Sequence, residues 1–212
     1  MGRTMSKLSM TFAWLLSVCT AAVHAATFVE SSVEFATVGQ PILSGVIAPK
    51  TVPAKLRLPM GDGPFPAMVI LHGSAGVDGR GAAMAEALAA AGIASLEPDM
   101  WKARGLLGGT NGRARIISDT LPDTWGAWSY LATNPKIDAA RIGVMGFSWG
   151  GALSWITAFG LKPTQATPEV AAAKFAVHVP YYGGCSSYLP EAAGGFRTDP
   201  HAAARGRLRD RQ

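Results

Sequence analysis

The stretch RIGVMGFSWGGALSWITAFG, residues 141–160, constrains the fold more than any other part of the sequence. A run of branched and small apolar residues leads into a glycine, and a second apolar run follows Ser148 without an intervening loop. The pattern Gly-x-Ser-x-Gly at 146–150 is typical of a sharp turn from a strand into a helix, where a serine hydroxyl is exposed at the strand end. The sequence therefore predicts a strand over 141–147 and a helix over 148–160.

The rest of the chain alternates between strand-like and helix-like segments, after three short β-prone runs within residues 27–60. Apolar runs predict strands, and alanine-rich or amphipathic runs predict helices. The predicted strands are AMVILHG (67–73), IASLEP (93–98) and KFAVHVPYY (174–182), and the predicted helices are GAAMAEALAAAG (81–92) and PDTWGAWSYLAT (122–133). Strands that alternate with helices indicate βαβ units. We therefore expect an α/β fold, with a mostly parallel sheet and helices on both faces.

The two ends of the chain differ in composition from its body. Residues 1–25 carry two basic residues and an apolar stretch that ends in Val23-His24-Ala25, which is the pattern of a cleaved export signal. We therefore predict a periplasmic or secreted protein, with no stable membrane insertion once the signal is removed. Residues 197–212 hold five arginines and two aspartates, a net charge of +3, and predict a disordered basic tail.

The positive charge of the chain lies in these two ends. The formal net charge is +5, of which the tail carries +3 and the first 25 residues carry +2, so the body is neutral. A neutral body lacks the basic surface that binds nucleic acid, and no nucleic-acid partner is expected. After removal of the signal only Cys185 remains of the two cysteines, so the chain has no internal disulfide framework.

Ser148 is the candidate nucleophile. The helix that follows it offers backbone N–H groups and a positive dipole to a developing oxyanion. We predict that the backbone N–H of Trp149 is one donor of an oxyanion hole, and that the N–H of Ser74, in the loop after strand 67–73, is the other. His72 stands at the end of that strand with no acid partner evident in the sequence, so we interpret it as structural.

Four segments resemble the dienelactone hydrolase family of the α/β-hydrolase superfamily: NPKIDAARIGVMGFSWGGAL, VILHGSAGV, IASLEPDMW and FAVHVPYYGG. The resemblance covers about residues 40–190. It implies a hydrolase of small-molecule carboxylic esters or lactones, with Ser148 as nucleophile and with neither a cofactor nor a metal. Dienelactone hydrolase itself has cysteine in place of Ser148 and glutamate in place of Gly73, and these two differences favour general serine esterase chemistry over dienelactone as the substrate.

The family supplies the acid and the histidine of its triad after the nucleophile. After Ser148 this chain offers His178 inside an apolar strand, and Asp199 and His201 in the basic tail, where no rigid platform is predicted. We therefore predict an incomplete domain over 26–196 that lacks the C-terminal strands and the triad Asp and His, as in a truncated or frame-shifted product, with impaired activity. A genuine short protein with a basic tail is the alternative.

Two further questions stay open at this point. A non-catalytic binding protein on the same fold would use the crevice at the strand ends without a triad. Arg113 and Arg115 could meet a substrate carboxylate, although a solvated start of a helix is the simpler interpretation of both.

Overall fold

The computed structural model describes residues 28–37, 40–42, 45–163 and 166–184. The predicted export signal at 1–25, Cys185, and the basic tail with Asp199 and His201 lie outside the described residues. Within the described ranges, no helix is both long enough and apolar enough to cross a membrane.

Strands and helices alternate over most of the described ranges. The strands are β1 (Phe28–Ala36), β2 (Gln40–Ile42), β3 (Gly45–Ile47), β4 (Thr51–Pro59), β5 (Phe65–Leu71), β6 (Ala94–Pro98), β7 (Ile137–Phe147) and β8 (His178–Tyr181). The helices are α1 (Gly79–Ala90), α2 (Leu121–Ala132), α3 (Trp149–Ala158) and the single turn α4 (Pro168–Ala172), and short 3-10 turns lie at Lys102–Arg104 and Ile117–Thr120.

Six of the strands form one sheet in the order β1-β4-β6-β5-β7-β8, and β2 and β3 form a small separate hairpin. Strands β6, β5, β7 and β8 run parallel to one another. Strands β1 and β4 extend the sheet in antiparallel fashion. The predicted mostly parallel α/β sheet is therefore confirmed, and the β-prone N-terminal segment supplies its antiparallel edge.

Each face of the sheet is covered by helices, as predicted. Ala67, Val69 and Leu71 of β5 belong to the larger apolar core, which includes residues of α2 and α3. Met68 and Ile70, the alternate residues of β5, belong to a smaller core with residues of α1. Strand side chains alternate between faces, so one continuous apolar run serves both cores.

Several boundaries differ from the sequence predictions. Helix α1 begins two residues earlier than expected because the Asp78 side chain accepts a hydrogen bond from the Arg80 N–H and caps the helix there. Strand β7 begins at Ile137, which is buried and pairs with Phe65 of β5. Strand β8 is shorter than the apolar run that predicted it, since Phe175 instead packs against Trp125 with ring centroids 4.8 Å apart.

Backbone passes close to backbone where β7 turns into α3. A Cβ atom on Gly146 would lie 2.2 Å from the carbonyl carbon of Gly150, and a Cβ on Gly150 would lie 2.2 Å from the carbonyl oxygen of Leu71. Neither neighbour is a flexible side chain. The two glycines of the Gly-x-Ser-x-Gly pattern are therefore required by the packing of α3 against β5 and β7.

We predict that Gly150→Ala lowers the free energy of unfolding by about 3 kcal/mol or more, because the new methyl group can be accommodated only by moving α3 away from β5. The matched control is Gly79→Ala in the first turn of α1, where a Cβ has no neighbour within 4 Å. That variant should be stabilised by about 0.4–1 kcal/mol through the reduced entropy of its unfolded chain. Urea unfolding measures both, and equal midpoints for the two variants would show that α3 does not need glycine at position 150.

Candidate active site

Ser148 occupies a strained position at the carboxyl end of the sheet. Its φ is 50° and its ψ is −102°, a conformation that residues with a side chain rarely adopt. Its backbone is held on both sides: the Ser148 N–H donates to the Tyr181 carbonyl over 2.9 Å, and the Ser148 carbonyl accepts from the Ala152 N–H over 2.9 Å. Such strain costs about 1–3 kcal/mol and persists only where the surrounding structure enforces it.

The loop after β5 lies directly against this turn. The Gly150 N–H, in the first turn of α3, donates to the His72 carbonyl over 3.1 Å. A Cβ on Gly73 would lie 3.7 Å from the Cβ of Ser148. The two segments that were predicted to form an oxyanion hole are therefore neighbours in the structure.

Ser74 lies in a tight turn that the Gly76 N–H closes by donating to the Gly73 carbonyl over 3.0 Å. The Ser74 carbonyl accepts from the Gly109 N–H over 2.7 Å and from the Trp101 indole N–H over 3.0 Å. These bonds turn the Ser74 carbonyl toward the loop after β6 and fix the orientation of the residue. Within the described ranges, no group accepts a hydrogen bond from the Ser74 N–H.

Trp149 begins α3, and its side chain is buried. Its indole N–H donates to the Thr120 hydroxyl over 2.9 Å, and its ring meets the edge of Trp101 with centroids 5.3 Å apart. These contacts fix the residue whose backbone N–H follows Ser148 along the chain. The sequence placed Trp149 at the site, but it did not indicate either partner.

Arg113 departs from the expectation of a solvated helix start. Its guanidinium donates to the Ser74 hydroxyl over 2.8 Å, and its central carbon lies 5.1 Å from the centre of the Trp149 ring. Arg113 therefore bridges the two segments that carry the predicted oxyanion donors. Arg115 is exposed, as expected for a solvated side chain.

His72 is engaged at both ring nitrogens. Its Nε2 accepts from the Met100 N–H over 3.0 Å, so its Nδ1 carries the proton and donates to the Gly73 carbonyl over 2.8 Å. Asp99 lies 4.0 Å from Nε2, beyond hydrogen-bond distance. Burial lowers the pKa of His72 below its usual value, which keeps the ring neutral. This arrangement supports the structural interpretation of His72.

His178 begins β8 and lies away from the sheet edge that carries Ser148. It pairs with Val144 of β7, four residues before Ser148, which corresponds to about 13 Å along the strand. Burial lowers the pKa of His178 as well. Neither histidine of the described ranges is placed to take a proton from Ser148.

A buried ion pair supports the loop that carries Trp101. The Arg104 guanidinium donates to both carboxylate oxygens of Asp123, over 2.6 and 3.0 Å, and also to the Met100 carbonyl over 2.9 Å. Asp123 is fully buried in the first turn of α2, and burial raises its pKa to about 6. The sequence showed Asp123 as part of a helix start and gave no signal for its partner.

A cavity of about 560 Å³ lies to one side of this region, between β1, β4 and the carboxyl end of β6. Glu97, Asp99 and Lys102 line it, and Ser148 does not. In the part of the chain that the structure describes, no group of three or more side chains is arranged to hold a metal ion.

The sequence model of the dienelactone hydrolase family matches residues 52–193, about two thirds of the chain. The chain belongs to the dienelactone hydrolase family. The matched region contains the elements from β5 to β8, the loop with Ser74 and the turn at Ser148. The family and the fold expected from the sequence are confirmed, and the chain is a member of a family of hydrolases.

Among individual proteins, the chain is similar to one of Methylorubrum extorquens that is named provisionally as a carboxymethylenebutenolidase. The two are 28% identical over 127 residues, which are 56% of this chain and 42% of that protein. The chain thus spans less than half the length of this curated relative.

Solved structures with a similar arrangement include the α/β-hydrolase GrgF from a Penicillium species and the esterase Est22. GrgF is 22% identical, with a TM-score of 0.47, and the match covers 61% of this chain and 41% of GrgF. Est22 is 20% identical, with a TM-score of 0.48, and the match covers 64% of this chain and 41% of the esterase.

We predict that Arg104→Ala lowers the free energy of unfolding by about 3–5 kcal/mol at pH 8, because it leaves Asp123 charged, buried and unpaired. Without the guanidinium, the pKa of Asp123 rises above 6, so at pH 5 the carboxyl is neutral in the folded variant and the deficit relative to the wild type shrinks.

Urea unfolding at pH 5 and pH 8 measures this difference. The matched control is Arg141→Ala, which breaks the exposed pair with Asp138 and should change stability little at either pH. A deficit for Arg104→Ala that is the same at both pH values would show that Asp123 does not determine it.

Proposed function

We propose that the chain hydrolyses carboxylic esters or lactones through a covalent acyl-enzyme on the Ser148 hydroxyl. The observation that carries the proposal is the strained backbone of Ser148, which the close packing of α3 on β5 enforces. Strain of this kind is concentrated where a side chain must be presented to a substrate. Membership of a hydrolase family supports the same interpretation.

The proposed reaction has two steps. The Ser148 Oγ attacks the substrate carbonyl carbon and loses its proton to a base, and the carbonyl oxygen becomes an oxyanion. When the intermediate collapses, the bond to the alcohol oxygen breaks, and the alcohol leaves with a proton. Water then attacks the acyl-enzyme, which releases the acid and restores the serine hydroxyl.

The backbone N–H groups of Trp149 and Ser74 are the proposed donors to the oxyanion. The Trp149 N–H stands in the first turn of α3, where the helix dipole also favours negative charge. The Ser74 N–H belongs to the turn beside Gly73, which lies against Ser148. A donor fixed in this way is worth about 2.7–4 kcal/mol of transition-state stabilisation in related sites.

The base is the component that the described residues do not provide. His72 uses both ring nitrogens in structural hydrogen bonds, and His178 lies about 13 Å along the sheet. We propose that the chain hydrolyses esters only at trace level, because without a base among the described residues the oxyanion hole and substrate binding leave a small residual of triad catalysis.

The same observation favours a second candidate function, a binding protein that uses the crevice at the carboxyl ends of the strands without forming an acyl-enzyme. Open α/β sheets bind ligands at this edge whether or not catalysis follows. Covalent reaction at Ser148 distinguishes the two functions.

We predict that a fluorophosphonate probe labels the folded chain slowly and at one residue, Ser148, and that Ser148→Ala abolishes the labelling. Turnover of p-nitrophenyl acetate should be detectable only at trace level and should be lost in the same variant. Ser154→Ala is the matched control, since its hydroxyl is buried and accounted for by a 3.3 Å bond to the Val144 carbonyl. A folded chain that is not labelled would favour the binding protein, and turnover as fast as an intact esterase would contradict trace activity.

A further inference from the structure

Arg80 lies outside the serine motif, in the first turn of α1, and contacts residues next to Ser148 in two directions. One Nη of its guanidinium donates to the phenol oxygen of Tyr182. The guanidinium carbon lies 5.7 Å from the ring centre of Phe147, the residue before Ser148. Arg80 and Tyr182 are 102 positions apart, so this contact has no counterpart in the sequence pattern.

Asp78 fixes the direction of the Arg80 side chain. The Asp78 carboxylate caps α1 by accepting the Arg80 backbone N–H over 2.9 Å, and it also accepts the Arg80 Nε–H over 3.0 Å and one Nη–H. Backbone and side chain of Arg80 are therefore held by one carboxylate. The planar guanidinium, paired along one edge, presents its remaining N–H groups in a defined direction.

Tyr182 connects this arrangement to the backbone of the nucleophile. The preceding carbonyl, that of Tyr181, accepts the Ser148 N–H over 2.9 Å. Tyr182 has a φ of 39°, a left-handed conformation that is unfavourable for a residue with a side chain. Since the turn that carries the Tyr181 carbonyl is itself strained, a contact that holds Tyr182 also holds the hydrogen-bond acceptor of Ser148.

The guanidinium also borders the space beside the nucleophile. A Cβ on Gly73 would lie 3.8 Å from an Nη of Arg80 and 3.7 Å from the Cβ of Ser148. Because position 73 carries no side chain, nothing at that position separates the arginine from the turn at Ser148. The contacts of Arg80 thus reach Phe147, the residue before the serine, and Tyr182, the residue after β8.

We propose that Asp78, Arg80 and Tyr182 form a clamp in which Arg80 is a positioning residue for Ser148. By holding Tyr182 and covering Phe147, it stabilises the strained turn and the hydrogen bond from the Ser148 N–H to the Tyr181 carbonyl. The effect on reactivity rests on the function proposed for Ser148, but the effect on backbone geometry does not. Arg80 itself takes no part in bond making or breaking.

The test uses Arg80→Ala, Tyr182→Phe and the double variant in the full chain, with Arg141→Ala as a matched loss of an exposed, ion-paired arginine. Hydrogen exchange of the Ser148 amide reports the geometry and needs no activity. We expect exchange to be about three- to tenfold faster in each single variant, the range for loss of one hydrogen bond. The double variant should be no faster than the faster single variant, because both changes break the same hydrogen bond between Arg80 and Tyr182.

Fluorophosphonate labelling reports the consequence for Ser148. The maximal rate of phosphonylation should fall by a similar factor in the clamp variants, while the probe concentration at half-maximal rate stays unchanged. Arg80→Lys should recover part of the lost rate, since it keeps the charge over Phe147 but loses the planar fork. Arg141→Ala should change neither quantity.

Each outcome decides one of the two proposals. Additive effects in the double variant, or unchanged exchange at Ser148, would overturn the clamp even if labelling is efficient. If the changes in exchange are coupled in the variants but the wild-type chain is never labelled, the clamp is supported and the proposed function is overturned. If Arg80→Ala does not fold, Tyr182→Phe and Arg80→Lys carry the same comparison, and no effect in either would overturn the clamp.

Discussion

The close approach of α3 to β5 is the constraint on which the candidate site depends. Gly146 and Gly150 allow backbone to contact backbone, and the Gly150 N–H bonds to the His72 carbonyl. This contact brings the loop after β5 against the turn after β7, so that Ser148 and the Ser74 turn meet at one edge of the sheet. The positive φ of Ser148 follows from that approach, and the hydrogen bond to Tyr181 helps to maintain it.

Buried polar groups fix the loops that surround this edge. His72 joins the end of β5 to Met100, and Arg104 joins the segment after β6 to Asp123 at the start of α2. His72 thus connects two loops, and Arg104 connects a loop to α2. Such satisfied networks rigidify a site without taking part in its chemistry.

The sequence predicted what depends on local patterns. Apolar runs identified β5, β6 and β7, and the spacing around Ser148 identified the turn, because strand burial and sharp turns leave short-range signatures. Contacts between distant residues left no such signature. The partners of Arg104, Arg113 and Arg80 come from other elements, so Arg113 was expected to be solvated and the contact between Arg80 and Tyr182 was not anticipated.

The turn at Ser148, as we propose, presents a nucleophile beside two fixed amide donors. The most direct measurement is a crystal structure of the chain after reaction with a fluorophosphonate. We predict phosphorus bonded to the Ser148 Oγ, with the phosphoryl oxygen about 2.7–3.1 Å from the backbone nitrogens of Trp149 and Ser74. An adduct on another residue, an oxygen turned away from both nitrogens, or a folded chain without an adduct would contradict this proposal.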